Sequence, residues 1–180
     1  MPVVTVFGSN AAEVNDGGYK EAYELGRLLG QAGYTVATGG YLGTMEATSR
    51  GAKEAGAHVI GVTTSRFDDR GGANQYVDEE VKFPNLFQRL HYLVTFSDAL
   101  VVLRGGVGTL SEVALTWSLL QVGEMPHKPF VLVGPHWRQI METVFRESTA
   151  RERDRSLISF AANVRDVIPL LGSPAHRPET

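Results

Sequence analysis

Short continuous apolar runs alternate along this chain with longer stretches in which apolar residues return every three or four positions. The first pattern predicts strands buried on both faces, the second amphipathic helices. Residues 3–7 form the first predicted strand, which ends at Gly8-Ser9-Asn10. Over 17–33, Ala22, Leu25, Leu28 and Leu29 fall at helical spacing and Gly33 closes the helix. A second strand at 34–37 stops at Thr38-Gly39-Gly40, and a helix follows over 43–55, with Met45, Ala52 and Ala55 inward and Gly56 as its C-cap. Further strands are predicted at 58–62, 98–103 and 130–133, and further helices at 85–96, 109–121 and 137–148. A charged hinge at 151–155 precedes a short strand-like piece at 157–160 and a final helix near 164–171.

Between 63 and 80 the periodicity disappears. This segment holds Asp68, Asp69, Gly71, Gly72 and Asn74 and reads as an exposed loop, of a length more often functional or disordered than idle. The alternation elsewhere is that of an α/β protein with a parallel sheet covered on both faces. Ligands of such sheets collect at the carboxyl ends of the strands, where strand order reverses. Three predicted strands end in glycine or small polar residues, at Gly8-Ser9, Thr38-Gly39-Gly40 and Arg104-Gly105-Gly106.

Composition narrows the function. A length of 180 residues suits one buried core, taken as a single domain over 1–171 with a flexible tail over 172–180. The 17 basic and 20 acidic residues leave a net charge of −3, which makes no electrostatic case for nucleic acid or a membrane as partner. There is no cysteine, so disulfides, thiolate catalysis and cysteine metal sites are excluded. The opening MPVVTVFGSN reads as a strand rather than a signal peptide, no stretch reaches a membrane-spanning length, and the expected location is the cytoplasm.

The main chemical signal is Arg104-Gly105-Gly106-Val107-Gly108-Thr109-Leu110-Ser111-Glu112, between a strand and a helix. Glycines let a phosphate approach the backbone, and the amides of the following helix then point at it. Thr109 either caps the helix or donates its hydroxyl. Thr109 to Glu112 also matches a capping box, so Glu112 is a cap or a functional carboxylate. The turn Gly39-Gly40-Tyr41-Leu42-Gly43-Thr44-Met45-Glu46 repeats the same architecture, with packing alone as its plainer explanation. Neither is a P-loop or a GxGxxG fingerprint. Arg89, on a largely apolar helix, either snorkels to solvent or turns its fork toward an anion.

These residues resemble the LOG (Lonely Guy) family, long labelled lysine decarboxylases, whose signature is PGGxGTxxE. Gly105 to Glu112 reproduces it, except that Arg104 stands in place of the proline. Arg89 resembles the family arginine, Gly39, Gly40, Gly43 and Met45 its second glycine turn, and Gly8-Ser9 the end of its first strand. The resemblance implies a Rossmann-like homodimer that cleaves the N-glycosidic bond of AMP or a cytokinin riboside 5'-monophosphate, with no metal or cofactor. On that basis Arg89 and Glu112 are the catalytic pair. Gly105, Gly106, Gly108 and Thr109 cradle the phosphate with Arg104 beside them, and Gly8, Ser9, Gly39, Gly40, Gly43 and Met45 line the rest of the pocket. Three departures, Leu90, Arg104 and Glu46, resemble the branch near molybdenum cofactor carriers and DNA-processing proteins. The rival reading is therefore a non-catalytic carrier of a nucleotide or pterin.

Other residues have plainer explanations. His91 reads as structural, and Trp117 and Trp137 as packing or dimer-interface residues. Asp68 and Asp69 either bind a cation or face water. The helices at 85–96 and 109–121 are the expected dimer surfaces. Lys20, Lys53, Lys82 and Lys128 lack a pyridoxal-site context, against lysine decarboxylation.

Overall fold

A computed structural model of the chain describes residues 1–14 and 16–172, apart from the side chains of 68–70. The expected tail beyond Gly172 and the Asp68 and Asp69 side chains lie outside the described residues. The strands are β1 (Val3–Phe7), β2 (Thr35–Thr38), β3 (Val59–Thr64), β4 (Glu79–Phe83), β5 (Ala99–Val102), β6 (Phe130–Val133) and β7 (Ser159–Ala161). The helices are α1 (Gly17–Gln31), α2 (Thr44–Glu54), α3 (Leu86–Thr95), α4 (Val107–Val122), α5 (Pro135–Glu147), α6 (Glu152–Arg155) and α7 (Val167–Leu171).

All strands pair in parallel, in the order β4-β3-β2-β1-β5-β6-β7. Side chains alternate across the sheet, so Val101 joins one apolar cluster while Leu100 and Val102 join the other. The first cluster lies beneath α1, α2 and α7, around Leu25, Leu29, Ala52 and Val167. The second lies beneath α3, α4 and α5, around Leu93, Val113, Leu120 and Met141. This is the expected single-domain, Rossmann-like α/β fold. From β1 the chain builds outward to β4, then returns to the other side of β1 and builds outward to β7. The gap between β1 and β5 is thus the point where strand order reverses.

Four elements differ from expectation. β4 lies within and beyond the segment read as a loop, and Ser65–Arg70 takes a 3-10 turn. β4 is an edge strand whose Glu79, Glu80 and Lys82 are exposed while Val81 and Phe83 are half-buried. Charged residues protect an edge from stray pairing and also hide its apolar pattern. The charged hinge at 151–155 contains the short helix α6, and α4 begins at Val107 rather than 109. No helix among the described residues is long and apolar enough to cross a membrane.

α1 and α2 pack backbone to backbone. A Cβ at Gly26 would land on the Thr48 carbonyl, and one at Gly51 on the Tyr23 carbonyl. Gly51→Ala is expected to cost about 1–3 kcal/mol through overpacking, read as a lowered urea midpoint. Gly17→Ala, where nothing lies within 4 Å of the added carbon, serves as the neutral control.

Candidate functional site

Beyond Phe7 the chain is held between the first turns of two helices. Thr44, the first residue of α2, donates its hydroxyl (3.0 Å) and its amide (2.8 Å) to the Ser9 carbonyl. Thr109, in the first turn of α4, donates its hydroxyl to the Gly8 carbonyl at 3.0 Å. The Gly-Thr steps at 43–44 and 108–109 therefore do the same work on either side of β1. They also explain three glycines. A Cβ at Gly8 would strike the Thr44 hydroxyl, and one at Gly105 the Thr109 side chain. One at Gly43 would strike the backbone of Ser9 and Asn10, and its φ of +71° excludes most other residues besides.

Gly106 and Gly108 are different, because nothing lies within 4 Å of a carbon added at either. Both face a cleft of about 560 Å³ at the β1/β5 switch, a size suited to a small-molecule ligand. α4 starts after Gly106 with no side chain capping it. Its first amides and the positive end of its dipole are therefore available to an anion in the cleft.

Arg89 reaches the cleft from α3 and is buried. Its Nε donates to the Val62 carbonyl at 2.7 Å and its Nη2 to the Gly39 carbonyl at 3.0 Å. Its guanidinium lies 5.5 Å from the centre of the Tyr41 ring. Burial pulls its pKa down, an effect opposed by the nearby Glu112 and Tyr41. Glu112 enters from α4 and lines the same cleft. It keeps some access to solvent there, with protein around it on the other sides. Burial pushes its carboxyl up to about 8 despite the opposing charge of Arg89. Among the described residues no hydrogen bond or ion pair links the two, so they share the cleft without closing on each other.

The β3 side of the cleft is aromatic. The Phe67 ring meets Tyr41 edge-on at 5.8 Å. Tyr41 is fixed through its hydroxyl, which donates to the Thr64 carbonyl at 3.2 Å and accepts the Thr64 amide at 2.9 Å. Asn74 clamps the long connection to the Gly39-Gly43 turn, its Nδ2 donating to the Gly40 and Tyr41 carbonyls at 3.0 Å each.

Of the expected site residues, Gly8, Ser9, Met45, Arg89, Gly106, Gly108, Thr109 and Glu112 line the cleft. Gly39, Gly40, Gly43, Arg104 and Gly105 stand outside its lining. Gly39 packs against Arg89 and Met45, and Gly40 against Thr63 and Gly61. Arg104 is exposed, and its charge adds to burial in lowering the His136 pKa. Glu46 also lies outside the lining, with its charge felt by Tyr19. The capping box does not form, because α4 starts too early for Thr109 to be its cap. His91 is exposed, whereas the Trp137 indole donates to Leu103 and that of Trp117 to Asp154 as packing residues. Asn10, Tyr41, Leu42, Phe67, Leu86, Leu90 and Ser111 line the cleft without having been expected there. Tyr41 and Leu42 sit inside an expected glycine turn, and Ser111 beside Glu112, so adjacency was their available signal. Phe67 had none beyond its place in the long loop.

Fold and cleft together define a Rossmann-like protein with a cleft at its strand switch. The chain belongs to the family described as possible lysine decarboxylase, whose model matches residues 45–171. A cytokinin riboside 5'-monophosphate phosphoribohydrolase of Mycobacterium tuberculosis is 29% identical over 157 residues, which cover 82% of this chain and 81% of that one. The molybdenum cofactor binding protein of Rippkaea orientalis has a TM-score of 0.75 at 26% identity, with 94% of each chain covered. The molybdenum cofactor carrier protein of Chlamydomonas reinhardtii has a TM-score of 0.72 at 29% identity, with 93% of this chain and 94% of that one covered. The link to LOG-type enzymes and to cofactor carriers holds at the level of the family.

The raised Glu112 pKa makes stability depend on pH. The folded protein keeps a proton that the unfolded chain releases near 4.5. Relative to a permanently neutral side chain, stability is unchanged below that pH, falls as pH rises toward 8, and is flat above it. Glu112→Gln is thus expected to match the parent at pH 4 and to exceed it at pH 9 by an amount on the order of 2 kcal/mol, water in the cleft taking back part of the shift. Thermal unfolding across pH reads the difference.

Proposed function

We propose that the cleft binds a small phosphorylated heterocycle, a nucleotide or a pterin cofactor, and carries it unchanged. The observation that carries this reading is the uncapped first turn of α4 opening on a cleft in which Glu112, its carboxyl raised by burial, makes no hydrogen bond or ion pair with Arg89 among the described residues. A neutral carboxyl does not repel a phosphate, and it does not supply the negative charge that a developing ribosyl cation requires. Arg89 meanwhile spends its Nε and Nη2 on the Val62 and Gly39 carbonyls. The phosphate is assigned to the uncapped first turn of α4 at Gly106 and Gly108, with Thr109 as a brace and Met45 and Tyr41 against the ring. Near full-length similarity to the two molybdenum cofactor proteins supports a pterin as cargo.

The second reading is hydrolysis of a nucleoside 5'-monophosphate, AMP or a cytokinin riboside monophosphate, to free base and ribose 5-phosphate. Arg89 and Glu112 facing one cleft favour it, as does the relative from M. tuberculosis. Here a protonated Glu112 serves as acid toward the leaving base, and turnover falls as pH passes about 8. Lysine decarboxylation is not carried over from the family's description. Among the described residues no lysine lines the cleft, and Lys128 donates to the carbonyls of Val94, Thr95 and Ser97.

α4 supports a homodimer. It is apolar on nearly every side, and Leu110, Ala114, Ser118 and Val122 form an exposed stripe along it. A helix of that composition belongs in an interior, here one completed by a second copy.

Two experiments follow. Purified protein incubated with AMP and other nucleoside monophosphates is expected to bind ligand by calorimetry and release no base by chromatography. Base release that drops about a hundredfold in Glu112→Gln replaces the carrier with the hydrolase, and failure to bind any phosphorylated ligand removes both. Ala114→Arg is expected to turn a dimer into a monomer in sedimentation velocity.

A further inference from the structure

A second cavity, of about 500 Å³, opens beside the cleft and shares Phe67 and Leu86 with it as walls. Pro84, Asn85, Phe87 and Arg66 complete its lining. Phe87 is 74% exposed and Leu86 48% exposed, which gives this cavity an accessible apolar side. The Asn85 side chain is occupied in capping α3, where it accepts the Gln88 amide at 2.9 Å. Arg66 is therefore the charged group of this cavity, and among the described residues its lining holds no carboxylate.

We infer that the second cavity is a subsite for the distal nucleoside of a phosphodiester-linked dinucleotide that carries a 5'-phosphate. This rests on the proposal that the cleft binds a phosphorylated heterocycle. In that arrangement the 5'-phosphate meets the first turn of α4 and the first base lies against Tyr41 and Met45. The chain of the ligand then passes Phe67, the wall common to both cavities. The linking phosphate faces Arg66, and the second base lies on Phe87.

Three observations select this occupant. The shared walls place the two cavities side by side, so a ligand long enough to pass Phe67 reaches both. Their order of chemistry, anion site, apolar ring site, then a cation beside an exposed aromatic ring, follows the order of groups in a 5'-phosphorylated dinucleotide. The charge is also limited. Among the described residues one arginine lines the cavity, and on a chain of net charge −3 it suits a single linking phosphate and not a polymer.

The test compares AMP with the dinucleotide pApA by calorimetry on the full chain. Base–aromatic stacking is worth about 1–3 kcal/mol, so pApA is expected to bind about tenfold or more tightly than AMP. Phe87→Ala and Arg66→Ala are each expected to lower pApA affinity toward that of AMP and to leave AMP affinity unchanged, which also reports intact folding. Equal affinity for the two ligands in the parent overturns the subsite and leaves the cleft reading standing. A variant that weakens AMP as much as pApA does the same. If Phe87→Ala instead dissociates an oligomer and leaves pApA affinity intact, the surface belongs to a second copy of the chain and the inference fails. Binding of neither ligand overturns the subsite and the cleft proposal together.

Discussion

The geometry of the cleft depends on two hydroxyl groups. Thr44 and Thr109 reach back from the first turns of α2 and α4 to successive carbonyls at the end of β1. Each hydroxyl fixes the start of its helix relative to the sheet, the Thr44 hydroxyl together with its own amide on the Ser9 carbonyl. The consequence is a division of labour among the glycines. Gly8, Gly43 and Gly105 make room for the threonines and their partners, while Gly106 and Gly108 leave the first turn of α4 open to the cleft.

Much of this was legible in the sequence. Strands buried on both faces appear as unbroken apolar runs, which is why β1, β5 and β6 could be placed, and the glycines that follow them mark the sheet's ligand edge. What a sequence does not say is whether a missing side chain admits a ligand or a neighbouring threonine, so the two kinds of glycine looked alike. Thr109 to Glu112 has the spacing of a capping box. Only the position of the helix start, set by how α4 meets β5, shows that the hydroxyl goes to Gly8 instead. β4 was hidden because an edge strand carries charge where a central strand carries valine. Phe67 comes to the cleft from an aperiodic segment, fixed by the Asn74 clamp and by Tyr41 rather than by any local repeat.

The two charged side chains of the cleft illustrate how burial and pairing compete. A buried guanidinium is costly unless its donors are satisfied. Arg89 meets that condition in part, with two carbonyls on Nε and Nη2 and an aromatic ring nearby rather than with a carboxylate. Glu112 is left with burial as its dominant influence, which raises its carboxyl above the usual carboxylate range. Their separation thus turns a would-be ion pair into a fixed cation and a switchable acid.

The central place of β1 also sets an order of assembly. Val4 pairs with Val36 on one side and with Ala99 on the other. Contacts between residues so far apart in the chain form slowly, because a long loop must close first. During synthesis the half built from β1 to β4 can gather before β5 has emerged. The cleft, walled by both halves, comes into being only when the second docks onto the first, so a chain still emerging has no complete cleft to offer.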